Sequence, residues 1–398
     1  MSALALALLL HAVDALAGIG RRVHVRAWAA DVGRVAGTSV MESNRATRHG
    51  AVSRSACTAG KAPPVMRRRG GIVLTELPLD ALRQTRGLCR PPDDLQQSWH
   101  EVLTSARAIG EPPSLQHTET GLSLVRTEHV EFAGWAGHRI NGWLHTPADP
   151  GAVRRAGDRP TVVVRFPGYG GGRGLPHQVP FWVLAGYPCL SVDVRGQGAE
   201  WGLGDTADPV GSGPSFPGFL TRGLLDGDGG YYRRVMTDAV AAVDAVAQLP
   251  GLADARVVLA GASQGGGLAL AVAGLCPEVA AVLVDVPFLC DFRRAVEVAA
   301  KPPYTELRSY LALHSHVIDE AFAVLDYVDA ATLGGLAQAP ALFSVAMMDE
   351  VCPPSTVYAA YNRYGGEKQI IEYAYGDHAG GGARHEQRQL HWLAETLG

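Results

Sequence analysis

Apolar and polar positions change rhythm along the 398-residue chain. Residues 1 to about 71 hold no sustained period and are rich in Ala, Gly, Arg and Ser. From Leu77 the pattern tightens. Leu79 to Leu88 and Leu95 to Ala108 show helical spacing, with Pro91-Pro92 as a breaker between them. Leu122 to Phe132 and His138 to Leu144 alternate apolar and polar residues, which predicts antiparallel strands at the start of a sheet. A strand, glycine-rich turn and helix then recur. Thr161 to Phe166 runs into Pro167-Gly168-Tyr169-Gly170-Gly171-Gly172, and Cys189 to Val194 into Arg195-Gly196-Gln197-Gly198. Tyr231 to Leu249 reads as one long helix, Arg256 to Ala260 as a buried strand and Leu268 to Leu275 as a buried helix. Further strands are expected at Ala280 to Asp285, Ala341 to Ala346 and Gln369 to Ala374. Alternating strands and helices argue for a mainly parallel sheet covered on both faces. Pro287 to Pro340 reads as a mostly helical insertion, and no internal repeat is present.

Composition alters this picture chiefly at the N-terminus. With 47% apolar residues the chain can bury a large core, as one big domain or two smaller ones. A net charge of −4 gives no reason to expect nucleic acid as a partner. Residues 1–71 carry 11 Lys and Arg against 3 Asp and Glu, whereas the rest carries 24 against 36. We therefore read 1–71 as a basic, poorly ordered extension and 72–398 as the folded domain. A translation start near Met66, a short amphipathic helix and a basic docking tail are the alternatives for the extension. Ala3 to Leu10 is apolar and Ala15-Leu16-Ala17 is shaped like a cleavage site. No Lys or Arg precedes the run, however, and Asp14 sits beside it, so export is the less favoured reading. The run is also far too short to span a bilayer, and no membrane association is expected. The six cysteines lack metal-type spacing. Cys189, Cys276 and Cys290 lie in apolar runs and read as buried thiols, which suits a reducing compartment.

The candidate chemistry centres on Gly261-Ala262-Ser263-Gln264-Gly265, between a strand pattern and a helix pattern. A serine on so sharp a bend is lifted out of the fold, and the flanking glycines remove side chains that would obstruct it. A bare glycine-rich helix start is the competing interpretation. A serine hydroxyl needs a base, and the base needs a carboxylate to fix its tautomer. In an open α/β sheet both belong on loops at the carboxyl ends of later strands. Asp349 and His378 stand there, in the serine–acid–histidine order of α/β-hydrolases. Asp285 also ends a strand but precedes Val286-Pro287, so Asp349 is preferred. His385 is expected at a helix start as a solvated or interface residue, and His314 and His316 belong to the helical insertion. An oxyanion would meet the backbone N–H of Gln264 and one from the Gly168-Tyr169-Gly170 loop. Neither a P-loop ending nor dinucleotide-fingerprint spacing follows Pro167 to Gly174.

Arg195-Gly196-Gln197, Gly261 to Gly267 and Asp285-Val286-Pro287-Phe288-Leu289-Cys290 together resemble carbohydrate esterase family 7, which contains acetyl xylan esterases and cephalosporin-C deacetylases. Phe216 to Gly223, Tyr231-Tyr232-Arg233-Arg234 and Met348 to Thr356 extend the resemblance, which runs from about residue 72 to the end. It implies an α/β-hydrolase fold, no metal or other cofactor, small acetylated sugars or cephalosporins as substrates, and a cytoplasmic homo-oligomer, commonly a hexamer. By the same resemblance Ser263 is the nucleophile, His378 the base and Asp349 the orienting acid. The amides of Tyr169 and Gln264 form the oxyanion hole, and Arg195, Gly196 and Gln197 are structural. The chain departs from the family pattern at Ala379, where a glutamate usually follows the histidine, and at Phe166-Pro167, where a histidine usually precedes the loop glycine. The expected activity is removal of acetyl groups through an acetyl-serine intermediate. The alternatives are a serine esterase or peptidase of different acyl scope, and a catalytically silent member that binds a ligand.

Overall fold

A computed structural model of the protein describes residues 76–210, 213, 217–227 and 230–398. The basic segment 1–71, with Cys57, and residue Phe216 of the resemblance lie outside the described residues. All described residues belong to one compact unit, Arg68–Gly398.

Two helices come first, α1 (Leu79–Leu82) and α2 (Leu95–Ile109). The spacing predicts the first helix as far as Leu88, but it stops after one turn, and the chain leaves through Gly87 at φ +67°. The second buries Leu95, Trp99 and Leu103, four residues apart, on a single face. Strands β1 (Ser114–His117), β2 (Val125–Ala133) and β3 (Arg139–Pro147) form an antiparallel meander. After the two-residue β4 (Arg155–Ala156) come β5 (Arg159–Phe166), helix α3 (Phe181–Leu184), β6 (Cys189–Val192) and helix α4 (Gly230–Val246). Strand β7 (Arg256–Ala262), helix α5 (Gln264–Leu275) and β8 (Ala281–Asp285) follow. Four helices, α6 (Phe292–Val298), α7 (Tyr304–Leu313), α8 (Ile318–Leu325) and α9 (Ala330–Leu333), occupy the stretch read as helical. The chain closes with β9 (Ala341–Ala346), α10 (Pro354–Arg363), β10 (Lys368–Tyr373) and α11 (Gly382–Leu397). The edge strand β1 and the short β4 were not legible as strands, because neither carries an apolar alternation.

The sheet runs β1-β2-β3-β6-β5-β7-β8-β9-β10, with β4 paired to β5. From β6 through β10 neighbouring strands are parallel. This is the α/β-hydrolase arrangement. Successive residues of the central strands serve opposite faces, and both faces are covered. Val162, Val164, Leu259, Val282 and Phe343 pack in one cluster with α4 and α5. Val163, Val258, Leu283 and Leu342 pack in another with Trp182 of α3 and Trp392 and Leu393 of α11. Such double coverage explains why these strands read as unbroken apolar runs rather than alternations. The register aligns Phe166 with Gly261, Ala262 with Asp285, Asp285 with Ser344 and Ala346 with Tyr373. Five carboxyl-terminal strand ends therefore lie along one edge, and the loops leaving them meet there. Among the described residues no helix is long and apolar enough to cross a membrane.

Candidate active site

Ser263 occupies the single residue between β7 and α5, at φ +55° and ψ −119°. A non-glycine residue at this conformation costs about 1–3 kcal/mol, and surrounding contacts must enforce it. They do so on three sides. The Ser263 N–H donates to the Asp285 carbonyl at 2.9 Å, while the Ser263 carbonyl accepts from Phe288 at 2.9 Å and Gly267 at 3.0 Å. The flanking glycines have a steric role. A Cβ on Gly261 would strike the Gly265 backbone, and one on Gly265 would strike the Phe166 carbonyl oxygen. The bend closes only because both positions lack side chains.

The histidine and the acid arrive on the loops after the last two strands. Asp349 is 2% exposed; its Oδ1 accepts from the amides of Val351 at 2.8 Å and Cys352 at 2.9 Å. Those two bonds aim Oδ2 at His378, whose Nδ1 lies 2.8 Å away. Holding Nδ1 in this way leaves Nε2 to act on a substrate or a hydroxyl. Ser263 and His378 line one cavity of about 630 Å³. Cys352 is buried beside the serine, with Sγ 4.0 Å from Ser263 Oγ, and burial pushes its thiol pKa well up. The donor atoms of Asp349, Cys352 and His378 come within 4.8 Å of one another. Two of them are already joined by a hydrogen bond, and Cys352 Sγ lies 4.0 Å from Ser263 Oγ. That chemistry suits an oriented base better than a resident metal.

The candidate oxyanion donors sit either side of the elbow. Gln264 is the first residue of α5, where a backbone N–H has no carbonyl partner within the helix. The Gly168–Gly170 loop passes over the serine, since a Cβ on Gly168 would lie 3.9 Å from Ser263 Cβ. Gln197 ties the two together. Its Oε1 accepts from the Gly170 amide at 2.9 Å, and its Nε2 donates to Gln264 Oε1 at 3.0 Å. The Tyr169 hydroxyl accepts from the Phe219 amide at 2.6 Å and donates to Glu306 at 2.7 Å. Trp201 Nε1 donates to the Tyr169 carbonyl at 2.7 Å. Arg195 is fully buried and grips both oxygens of Asp238, at 2.6 and 2.7 Å, while Gly196 donates its N–H to Thr206. The whole Arg-Gly-Gln triplet thus makes scaffolding contacts.

His385 behaves differently from its sequence reading, whereas Asp285, the less favoured acid, is held by structural contacts. His385 does lie in the first turn of α11, but it is 1% exposed rather than solvated. It packs inward because His385, Gln389, Trp392 and Leu393 share the face of α11 that meets the sheet. Its Nε2 is 2.9 Å from Asp285 Oδ1, as an ion-pair contact off the N–H axis, and its Nδ1 is 3.0 Å from the Tyr373 hydroxyl. Gln389 donates to both Asp285 oxygens at 2.9 and 3.0 Å. Asp285 is thereby committed to docking α11. The residues that reading by sequence missed are Glu306, Trp201 and the Tyr231–Tyr232 pair, whose hydroxyls bond Gln197 and Gln264 respectively. Tyr231, Tyr232 and Cys352 fall in runs that carry the family resemblance, but nothing in those runs specifies a role.

A serine held at a positive-φ elbow, on a parallel sheet whose later strand ends carry an acid and a histidine, defines an α/β-hydrolase. The chain belongs to the acetyl xylan esterase (AXE1) family, whose model matches residues 72–396. The structure is similar to acetyl xylan esterase 1 from Thermoanaerobacterium sp. JW/SL YS485, with a TM-score of 0.72 and 30% identity, covering 81% of this chain and 98% of that one. It is also similar to an acetyl xylan esterase from Paenibacillus sp. R4, with a TM-score of 0.73 and 30% identity over 80% of this chain and 100% of the other. Acetyl esterase Axe7A of Xylanibacter ruminicola is 27% identical over 238 residues, 59% of this chain. The chain spans about half the length of that curated relative, 51%.

Proposed function

We propose that this protein hydrolyses acetyl esters of small alcohols, with Ser263 as nucleophile, His378 as base and Asp349 as its orienting acid. The observation that carries the reading is the strained, buried Ser263 elbow facing the same cavity as the Asp349–His378 pair. Family membership supports acetyl esters as the substrate class. In the first half-reaction His378 Nε2 takes the Ser263 proton as Oγ attacks the acetyl carbonyl. The Tyr169 and Gln264 amides, on the loop over the serine and at the start of α5, are the donors for the oxyanion that forms. His378 then gives its proton to the departing alkoxide, leaving acetyl-Ser263. Water, deprotonated by the same imidazole, attacks this ester and releases acetate. No step needs a metal or redox group. Acetylated xylo-oligosaccharides and cephalosporin C are the specific substrates the resemblance suggests, and a cytoplasmic homo-oligomer, a hexamer, the state in which they would be met.

The test is turnover of an aryl acetate by Ser263→Ala, which should lose roughly 10⁴-fold or more in kcat. A fluorophosphonate should label wild type at Ser263 and leave the variant unlabelled. Retention of most activity, or labelling elsewhere, would refute the assignment. A series of aryl esters with lengthening acyl chains should show a sharp fall beyond acetyl.

A further inference from the structure

The charges facing the cavity are unevenly divided. Its wall carries four carboxylates, Asp285, Glu200, Glu306 and Glu386, against a single guanidinium, Arg165, beside the His378 imidazole. Two of these charges are set back from the serine. Asp285 is held by Gln389 and His385. Arg165 lies two residues after Val163 on β5, on the sheet face covered by α3 and α11. Glu200 and Glu306 instead flank the loop that crosses the elbow. Glu306 is buried and accepts the Tyr169 hydroxyl at 2.7 Å. Burial first, and then the nearby Glu200 charge, raises its pKa. Glu200 is exposed, and its amide donates to the Gly170 carbonyl at 3.2 Å. Its carboxylate fills the space that a Cβ on Gly170 would need. Among the described residues that carboxylate makes no hydrogen bond or ion pair. The next residue, Trp201, presents an indole that is 60% exposed.

We propose that Glu200 is a specificity-determining residue that turns away acetyl esters whose alcohol part carries a carboxylate, so that the natural acceptors are neutral polyols such as glycosyl residues. This rests on the acetyl-ester reading above and narrows its substrate class. An uncompensated carboxylate fixed against the loop repels an anionic alcohol as it docks. The repulsion is stronger in a walled cleft than in bulk water. A neutral sugar meets no such penalty and can lie against the exposed indole. Of the two substrates that the resemblance suggests, an acetylated xylosyl unit therefore fits this chain, and cephalosporin C, which carries carboxylates, does not.

The experiment compares three small acetates that differ in the charge of the alcohol: the monoacetate of ethylene glycol, acetylcholine and O-acetylglycolate. kcat/KM is measured at low and high salt for wild type, Glu200→Gln and Glu200→Lys. Intrinsic reactivity cancels, because the same esters are compared across variants. The neutral-to-anionic ratio should fall by about 3–10-fold in Glu200→Gln at low salt and further in Glu200→Lys. Salt should lower the ratio in wild type and have less effect in Glu200→Gln. A ratio that does not move between the three proteins, or one that is indifferent to salt in wild type, overturns the proposal. If wild type turns over no acetate at all, it is the acetyl-ester reading that fails, and this one with it.

Discussion

Two aspartates stand at the carboxyl ends of neighbouring strands, Asp285 as the last residue of β8 and Asp349 on the loop after β9, and each has a histidine beside it. Asp349 meets His378 along a 2.8 Å hydrogen bond, with its other oxygen pinned by two amides. Asp285 meets His385 off axis and spends both oxygens on Gln389. Chain order alone favours the first pair, because its strand directly precedes the histidine strand. What argues against the second is that His385 is buried on the packing face of α11, and sequence does not show which side of that helix faces inward. Asp349→Asn should lower kcat on an aryl acetate by about 10⁴-fold with little change in thermal midpoint. Asp285→Asn should instead lower the midpoint and leave most of kcat, because it loosens α11 rather than the base. Paired kinetics and thermal melts decide this, and the reverse pattern would move the acid to Asp285.

The strand–elbow–helix unit was legible because it violates local preference in a concerted way. Three successive glycines at 265–267 are poor helix formers, so the apolar pattern predicts α5 only from Leu268. The helix begins at Gln264, since those glycines let it press against the backbones of Phe166 and Phe288. Gly265→Ala should accordingly destabilise the protein by more than the gain of about 1 kcal/mol that this change brings in a free helix. Denaturant titration would measure it; an unchanged or raised midpoint would mean the contact relaxes freely. A second element-scale effect lies at the start of α9. Asp329 is fully buried and accepts the amides of Phe292, Ala331 and Thr332. Burial, with Asp291 adding repulsion, pushes its carboxyl up to about 7. The folded chain thus keeps a proton that the unfolded chain releases near 3.9, so stability declines as pH rises from about 4 to about 7. Asp329→Asn cannot ionise. Its thermal midpoint relative to wild type should climb through that window and level off above it. A pH-independent difference would show that Asp329 ionises freely in the fold.

At the scale of the molecule, the family match begins at residue 72, where the basic composition gives way to the globular pattern. We propose that residues 72–398 form the hydrolase domain. A chain lacking 1–71 should therefore keep its aryl-acetate kcat/KM and its thermal midpoint, and loss of either would assign the basic segment a part in the fold or site. The positions of every strand but β1 and β4, the parallel class of the sheet and the order serine, acid, histidine follow from local pattern, because apolar period and glycine punctuation act over a few residues. Other features bring together residues far apart in the chain: the Gln197 link between Gly170 and Gln264, the Glu306 partner of Tyr169, the inward turn of His385 and the unpaired Glu200 at the loop. Each depends on which loops leave the same edge of the sheet and on how closely backbones approach there. Those are properties of strand register and packing, which no local window of sequence contains.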